Sequence, residues 1–89
     1  MNKSIVDAND VQNQIKRLKW RSRRSMLEVD LYLDRFMSRN GLESLEMDEL
    51  VCYADLLELN DWDFLALLQG SKISDSILMQ NVIKKIVNI

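Results

Sequence analysis

The segment WRSRRSMLEVD, from Trp20 to Asp30, gathers the side chains of this chain that are best suited to recognition chemistry. Arg21, Arg23 and Arg24 stand beside a Ser25-x-x-Glu28 pair and an aromatic, Trp20. A guanidinium is planar and permanently charged, so it makes paired hydrogen bonds to carboxylates, phosphates or backbone carbonyls. Ser-x-x-Glu also has a local use as a capping box. There the serine oxygen takes one orphan N–H of a starting helix and the glutamate reaches back to another. Arg24 and Glu28 are four residues apart and can pair on one helix face, although Arg before Glu is the weaker order.

Other chemistries lack their residues. There is no histidine, which removes imidazole acid–base catalysis and the commonest zinc sites. The two glycines, Gly41 and Gly70, build no phosphate loop. Cys52 has no second cysteine to pair with, and within an apolar helical pattern it reads as a small buried hydrophobe rather than a reactive thiol. The acids of EMDELVCYADLLELNDWD lack the ligand spacing and central glycine of a calcium loop and read as a solvated face. The expectation is a protein that is not an enzyme and binds neither metal nor cofactor stably by itself.

Charge is distributed unevenly. Lys16, Arg17, Lys19, Arg21, Arg23 and Arg24 put six positive charges into nine residues, while Glu43 to Asp63 carries eight acids and no base. A molecule with one basic and one acidic end is expected. The run at 16–24 with Trp20 could bind a nucleic-acid backbone, since cations displace counterions and an aromatic can stack on a base. The rest of the chain carries fourteen acids against six bases and would repel a polyanion. A protein partner offering carboxylates or carbonyls fits the arginines at least as well.

These residues need helices to position them. The chain has 89 residues, of which 47% are hydrophobic, with no proline and few glycines, so long helices and short connections are expected. Apolar spacing and caps place five helices, at about Asp10–Arg21, Ser25–Arg39, Met47–Leu59, Asp61–Gln69 and Asp75–Asn88. Asn9 or Asp10 caps the first, Ser25 the second, and Asn60 the fourth. Asn40-Gly41 ends the second and Gly70 the fourth. Ser74 or Asp75 caps the fifth. In the second, Met26, Val29, Leu33, Phe36 and Met37 form the inward stripe. The fold class is all-α, a compact five-helix bundle over residues 9–89, with residues 1–8 flexible. No apolar run approaches the roughly 18 residues of a membrane span, and the N-terminus has no signal-peptide pattern. A reducing cytoplasm, fitting a bacterial one, is expected.

The stretch RSRRSMLEVDLYLDRFM resembles the signature of the small bacterial and mitochondrial family that assembles FAD into succinate dehydrogenase. That signature is Arg-Gly-x-x-Glu followed by a hydrophobic residue and Asp, after a basic stretch with an aromatic. Arg24, Met26, Glu28, Val29 and Asp30 match it, and Trp20 takes the aromatic place. The likeness extends over about residues 15–87, through the acidic third helix and LLELNDWDFLALLQG with its closing glycine. Ser25 stands where the family has glycine, which bears on fit against a partner and not on the fold. The resemblance implies an assembly chaperone that binds the flavoprotein subunit of succinate dehydrogenase, with fumarate reductase as a second candidate; a monomer is expected. It would promote covalent attachment of FAD there. The implied contact residues are Trp20, Arg21, Arg23, Arg24, Ser25, Met26, Glu28 and Asp30. The alternative is a nucleic-acid-binding or antitoxin-like regulator using segment 16–24.

Overall fold

The computed structural model describes residues 8–88. The segment 1–8, read as flexible, lies outside the described residues except for Ala8, where the described part of the first helix begins. Among the described residues all regular structure is helical: α1 Ala8–Arg21, α2 Leu27–Ser38, α3 Gly41–Ser44, α4 Met47–Leu57, α5 Asp61–Gln69 and α6 Ile77–Val87. The all-α class therefore holds, but the count is six and not five.

The additional helix is α3. Asn40 adopts a left-handed conformation, φ 60°, as expected of a residue that ends α2. The chain then re-enters a single helical turn instead of running as a loop. Leu42 and Leu45 anchor that turn in the core, and Ser44 Oγ donates to the Gly41 carbonyl at 2.6 Å. Four residues are too few to show a helical period, so no apolar pattern announces α3. Gly41 is required there. A Cβ at this position would lie 2.3 Å from the Phe36 ring.

Two helices carry most of the packing. α4 rests on α6 and α1, and α2 rests on α3, α5 and α6. The expected stripe of α2 is the one that turns inward. Val29, Leu33 and Phe36 are buried, and Met26 and Met37 pack against the core edge. Tyr53 of α4 is fully buried and stacks on Phe36 with ring centroids 5.9 Å apart. Cys52 is buried, and that burial pushes its thiol pKa up.

Polar contacts pin the helix ends. Glu49 reaches back to the Glu46 N–H at 2.9 Å at the start of α4, and Lys85 of α6 meets the same carboxylate at 2.6 Å. The backbone hydrogen bond and then the lysine hold the Glu49 carboxyl below its usual pKa. Asn60 caps α5 by accepting the Asp63 N–H at 2.9 Å, and Gly70 closes it at φ 82°, both as expected. α6 starts two residues later than expected because Ser76, not Ser74 or Asp75, accepts the Met79 N–H. Arg39, just past α2, donates to the Lys85 and Ile86 carbonyls at the C-terminal end of α6 and lies over the Phe36 ring. Its cation answers the negative end of that helix.

Gly41→Ala should cost about 1–3 kcal/mol through forced displacement of Phe36, an overpacking effect. Urea unfolding followed by circular dichroism measures this, and an unchanged midpoint would contradict the contact.

Candidate functional site

α1 and α2 are joined by residues 22–26, and this turn is not the capping box that its sequence encodes. α2 begins at Leu27, with Met26 in the extended N-cap position and no side chain of its own capping it. The start is therefore two residues later than expected. The reason is a carboxylate from another helix. Asp61, the first residue of α5, accepts the Met26 N–H at 3.2 Å and the Ser25 hydroxyl at 3.0 Å on one oxygen. Its other oxygen accepts Arg24 Nε at 2.7 Å.

Arg24 is the centre of this arrangement. Its remaining nitrogens donate to two carbonyls at the end of α4, Nη1 to Leu57 at 2.9 Å and Nη2 to Leu59 at 2.6 Å. The guanidinium also lies over the Phe64 ring, 5.5 Å from its centroid. α4 has no base in its own last turn, so Arg24 supplies the cation that this helix end favours. The same side chain explains why α4 stops at Leu57, short of the expected Leu59. Only 12% of the Arg24 side chain is exposed, and Asp30 accepts its backbone N–H at 3.0 Å. The hydrogen bond from Arg24, supported by Ser25 and the Met26 N–H, holds the Asp61 carboxyl below its usual pKa of 3.8.

Two residues earlier the turn is anchored differently. Ser22 is fully buried, with Oγ 2.6 Å from the Leu18 carbonyl and 2.7 Å from Tyr53 Oη. A serine has one hydroxyl proton, and the carbonyl can only accept it, so Tyr53 donates to Ser22. Burial pushes the Tyr53 pKa up to about 12, which keeps that donor in place.

The remaining expected site residues divide by exposure. Trp20 is 83% exposed and, with Lys19 and Arg23, lines a shallow depression at the end of α1. Arg23 reaches Asp30 at 3.7 Å with most of its side chain in solvent. Arg21 meets Glu58, and Ser25 stays exposed beside Asp61. Glu28 is exposed and takes one long contact from Gln69 Nε2 at 3.4 Å; the ion pair of Arg24 is with Asp61 and not with Glu28. Met26 and Asp30 are half-buried.

Charge along much of the basic run is interleaved with acids. Lys19, Arg21, Arg23 and Arg24 each meet a carboxylate, of Glu43, Glu58, Asp30 and Asp61 respectively. The basic run is thus largely matched by the protein's own acids, which removes much of its appeal to a polyanion. Sequence reasoning did not find Asp61, Ser22 or Leu27. Asp61 reads locally as an ordinary acid in a first helical turn, and nothing near it in sequence points to a partner 37 residues away. Leu27 is apolar but exposed at the start of α2, and Trp62, beside Asp61, is 74% exposed.

Fold and turn together define a small all-helical protein in which an internal arginine lock displays a mixed aromatic and acidic edge. The family described as "Flavinator of succinate dehydrogenase" matches residues 16–89, and the chain belongs to it. It is 36% identical to the FAD assembly factor SdhE of Legionella pneumophila (strain Lens) over 66 residues, covering 74% of this chain and 82% of that one. With the FAD assembly factor SdhE of Ralstonia nicotianae it shares 41% identity over 56 residues, 63% of this chain and 58% of that one. No solved structure gives a significant match. Among the described residues no helix is long and apolar enough to cross a membrane, and no cluster of potential metal ligands forms.

Arg24→Ala leaves a carboxylate and two carbonyls without their donor and should cost about 2–4 kcal/mol. For a domain this size that is roughly 10 °C or more in a thermal melt. Arg24→Lys should recover only part of the loss, because one ammonium cannot span three acceptors. Asp61 should also carry acid sensitivity. Folding lowers its pKa, so its contribution is complete well above pH 3.8 and fades as pH falls through that value towards the folded pKa. Asp61→Asn should flatten this part of the stability–pH curve. An equal slope in both proteins would contradict the assignment.

Proposed function

We propose that this chain is an assembly chaperone, not an enzyme, that binds the flavoprotein subunit of succinate dehydrogenase in the bacterial cytoplasm and promotes covalent attachment of FAD to it. Fumarate reductase, whose flavoprotein subunit poses the same task, is a second client. The observation that carries this reading is the family match across residues 16–89, within which Arg24, Ser25 and Met26 of the turn are all held by Asp61.

In this reading the bond-forming groups belong to the partner, and FAD binds there. The chaperone contributes affinity. It favours the closed, flavin-loaded form of the subunit only to the extent that it binds that form more tightly. Glu28, Ser25, Trp20 and Arg23 make the contact, because their side chains reach solvent. Arg21 and Asp30 flank it. Arg24 and Met26 act from beneath, by fixing the backbone that presents the others. A rigid edge loses little entropy on docking, and Trp and Arg are the residue types that dominate interface energies. The nucleic-acid alternative is less favoured, since Lys19, Arg21, Arg23 and Arg24 of the run each lie beside a carboxylate.

The test is co-expression with the flavoprotein subunit, read as covalent flavin fluorescence on a denaturing gel. Glu28→Ala should reduce the signal by roughly tenfold or more, as expected for loss of a central interface contact. Its melting temperature should stay near that of the parent, since Glu28 is exposed. Full flavinylation by a folded Glu28→Ala protein would remove Glu28 from the contact. Nucleic acid co-purifying in place of a yellow partner would overturn the reading as a whole.

A further inference from the structure

We infer that Asp61 is the positioning residue of the docking turn: by capping the start of α2 from α5, it keeps Glu28 out of the local capping box and available to a partner. The inference rests on the functional reading above. Ser25-x-x-Glu28 encodes a box in which Ser25 is the N-cap and Glu28 bends back to the Ser25 N–H. In the structure neither half forms. The N-cap has moved to Met26, whose N–H goes to Asp61 at 3.2 Å, and the Ser25 hydroxyl donates to the same oxygen at 3.0 Å.

The chain contains its own comparison. At the start of α4 no foreign carboxylate intervenes, and the glutamate three residues after the N-cap does fold back: Glu49 takes the Glu46 N–H at 2.9 Å and is buried. Glu28 has the same residue type and spacing from Ser25, yet it stays exposed, with a contact of 3.4 Å to Gln69. Two contacts distinguish the sites: Lys85 also holds Glu49 at the start of α4, and Asp61 occupies the start of α2. Asp61 holds Arg24, Ser25 and Met26 together, and a turn fixed in that way places Glu28 one position earlier in the helix, where it cannot close the box. A carboxylate left outward in this way suits a cationic side chain or backbone N–H groups on the partner.

A merely supportive Asp61 and a positioning Asp61 differ in what Ser25 does when Asp61 is removed. If Asp61 positions the turn, Asp61→Ala lets the Ser25–Glu28 box close, and only a fraction of molecules remains competent to dock. Affinity for the apo flavoprotein subunit should then fall about five- to tenfold, the scale set by one N-cap. Adding Ser25→Ala removes the competing cap and should restore most of that affinity without restoring thermal stability. A supportive residue would give no such rescue, and the second substitution would leave binding unchanged or weaken it further.

The second measurement needs no partner. Hydrogen exchange of the Ser25 amide in the isolated chain should slow in Asp61→Ala, where Glu28 takes that N–H, and return in the double variant. Asp61→Asn keeps one neutral oxygen for the Met26 N–H and serves where Asp61→Ala does not fold; it should show smaller shifts in the same direction. Unchanged Ser25 exchange in these folded variants, or the lack of rescue by Ser25→Ala, overturns the inference while leaving the functional reading intact. A parent chain that does not bind the subunit overturns the functional reading, and the role of Asp61 in docking goes with it.

Discussion

The contact between Arg24 and Asp61 is the constraint on which the rest of the molecule depends. A single guanidinium joins three separate pieces of chain: the α1–α2 turn that carries it, the last carbonyls of α4, and the first residue of α5. Each contact also suits a helix end. A cation belongs at the C-terminus of α4 and a carboxylate at the N-terminus of α5, so the pair gains from both dipoles. The donors are spaced as only a planar guanidinium spaces them, and the Phe64 ring covers one face. Arg39 repeats the device on the other side of the core, between Phe36 and the end of α6. Two arginines thus supply donors at two helix C-termini, of which α4 has no base in its own last turn.

The lock decides what is left outside. With Arg24 turned inward and Met26 tied to Asp61, the chain leaves Trp20, Leu27 and Glu28 on the surface around one short turn. Exposed apolar side chains on a small protein give up burial energy that the fold could have used, and clustered ones mark contact surfaces. The buried Ser22–Tyr53 hydroxyl pair holds the turn from below, so the displayed edge is stiff at both ends. Stiffness of this sort is an advantage for a binding surface, because little ordering remains to be done on association. Arg24, the most conspicuous residue in the sequence, spends its guanidinium on contacts within the chain.

Much of the architecture was legible because it is local. The apolar stripe of α2, the Asn60 cap, the Gly70 terminator and the burial of Cys52 depend on residues a few positions apart, and each appears as expected. α3 was not legible, since one helical turn anchored by Leu42 and Leu45 has no period to read. The beginning of α2 was misplaced for a different reason. Ser25 and Glu28 form a valid local signal, and tertiary structure overrode it with a stronger acceptor.

The sequence by itself determined the helical class, the place of five of the six helices to within about two residues, the absence of imidazole chemistry and the family. It also showed that the positive charge is concentrated in segment 16–24 and the negative charge in segment 43–63. Only the tertiary structure decided how those charges meet, because a side chain pairs with whichever opposite charge packing brings within reach. The arginine and glutamate that look like partners in sequence, Arg24 of the turn and Glu28 of α2, are separated by that rule. Packing of α5 against α2 delivers Asp61 to Arg24 first, and Glu28 is left facing outward.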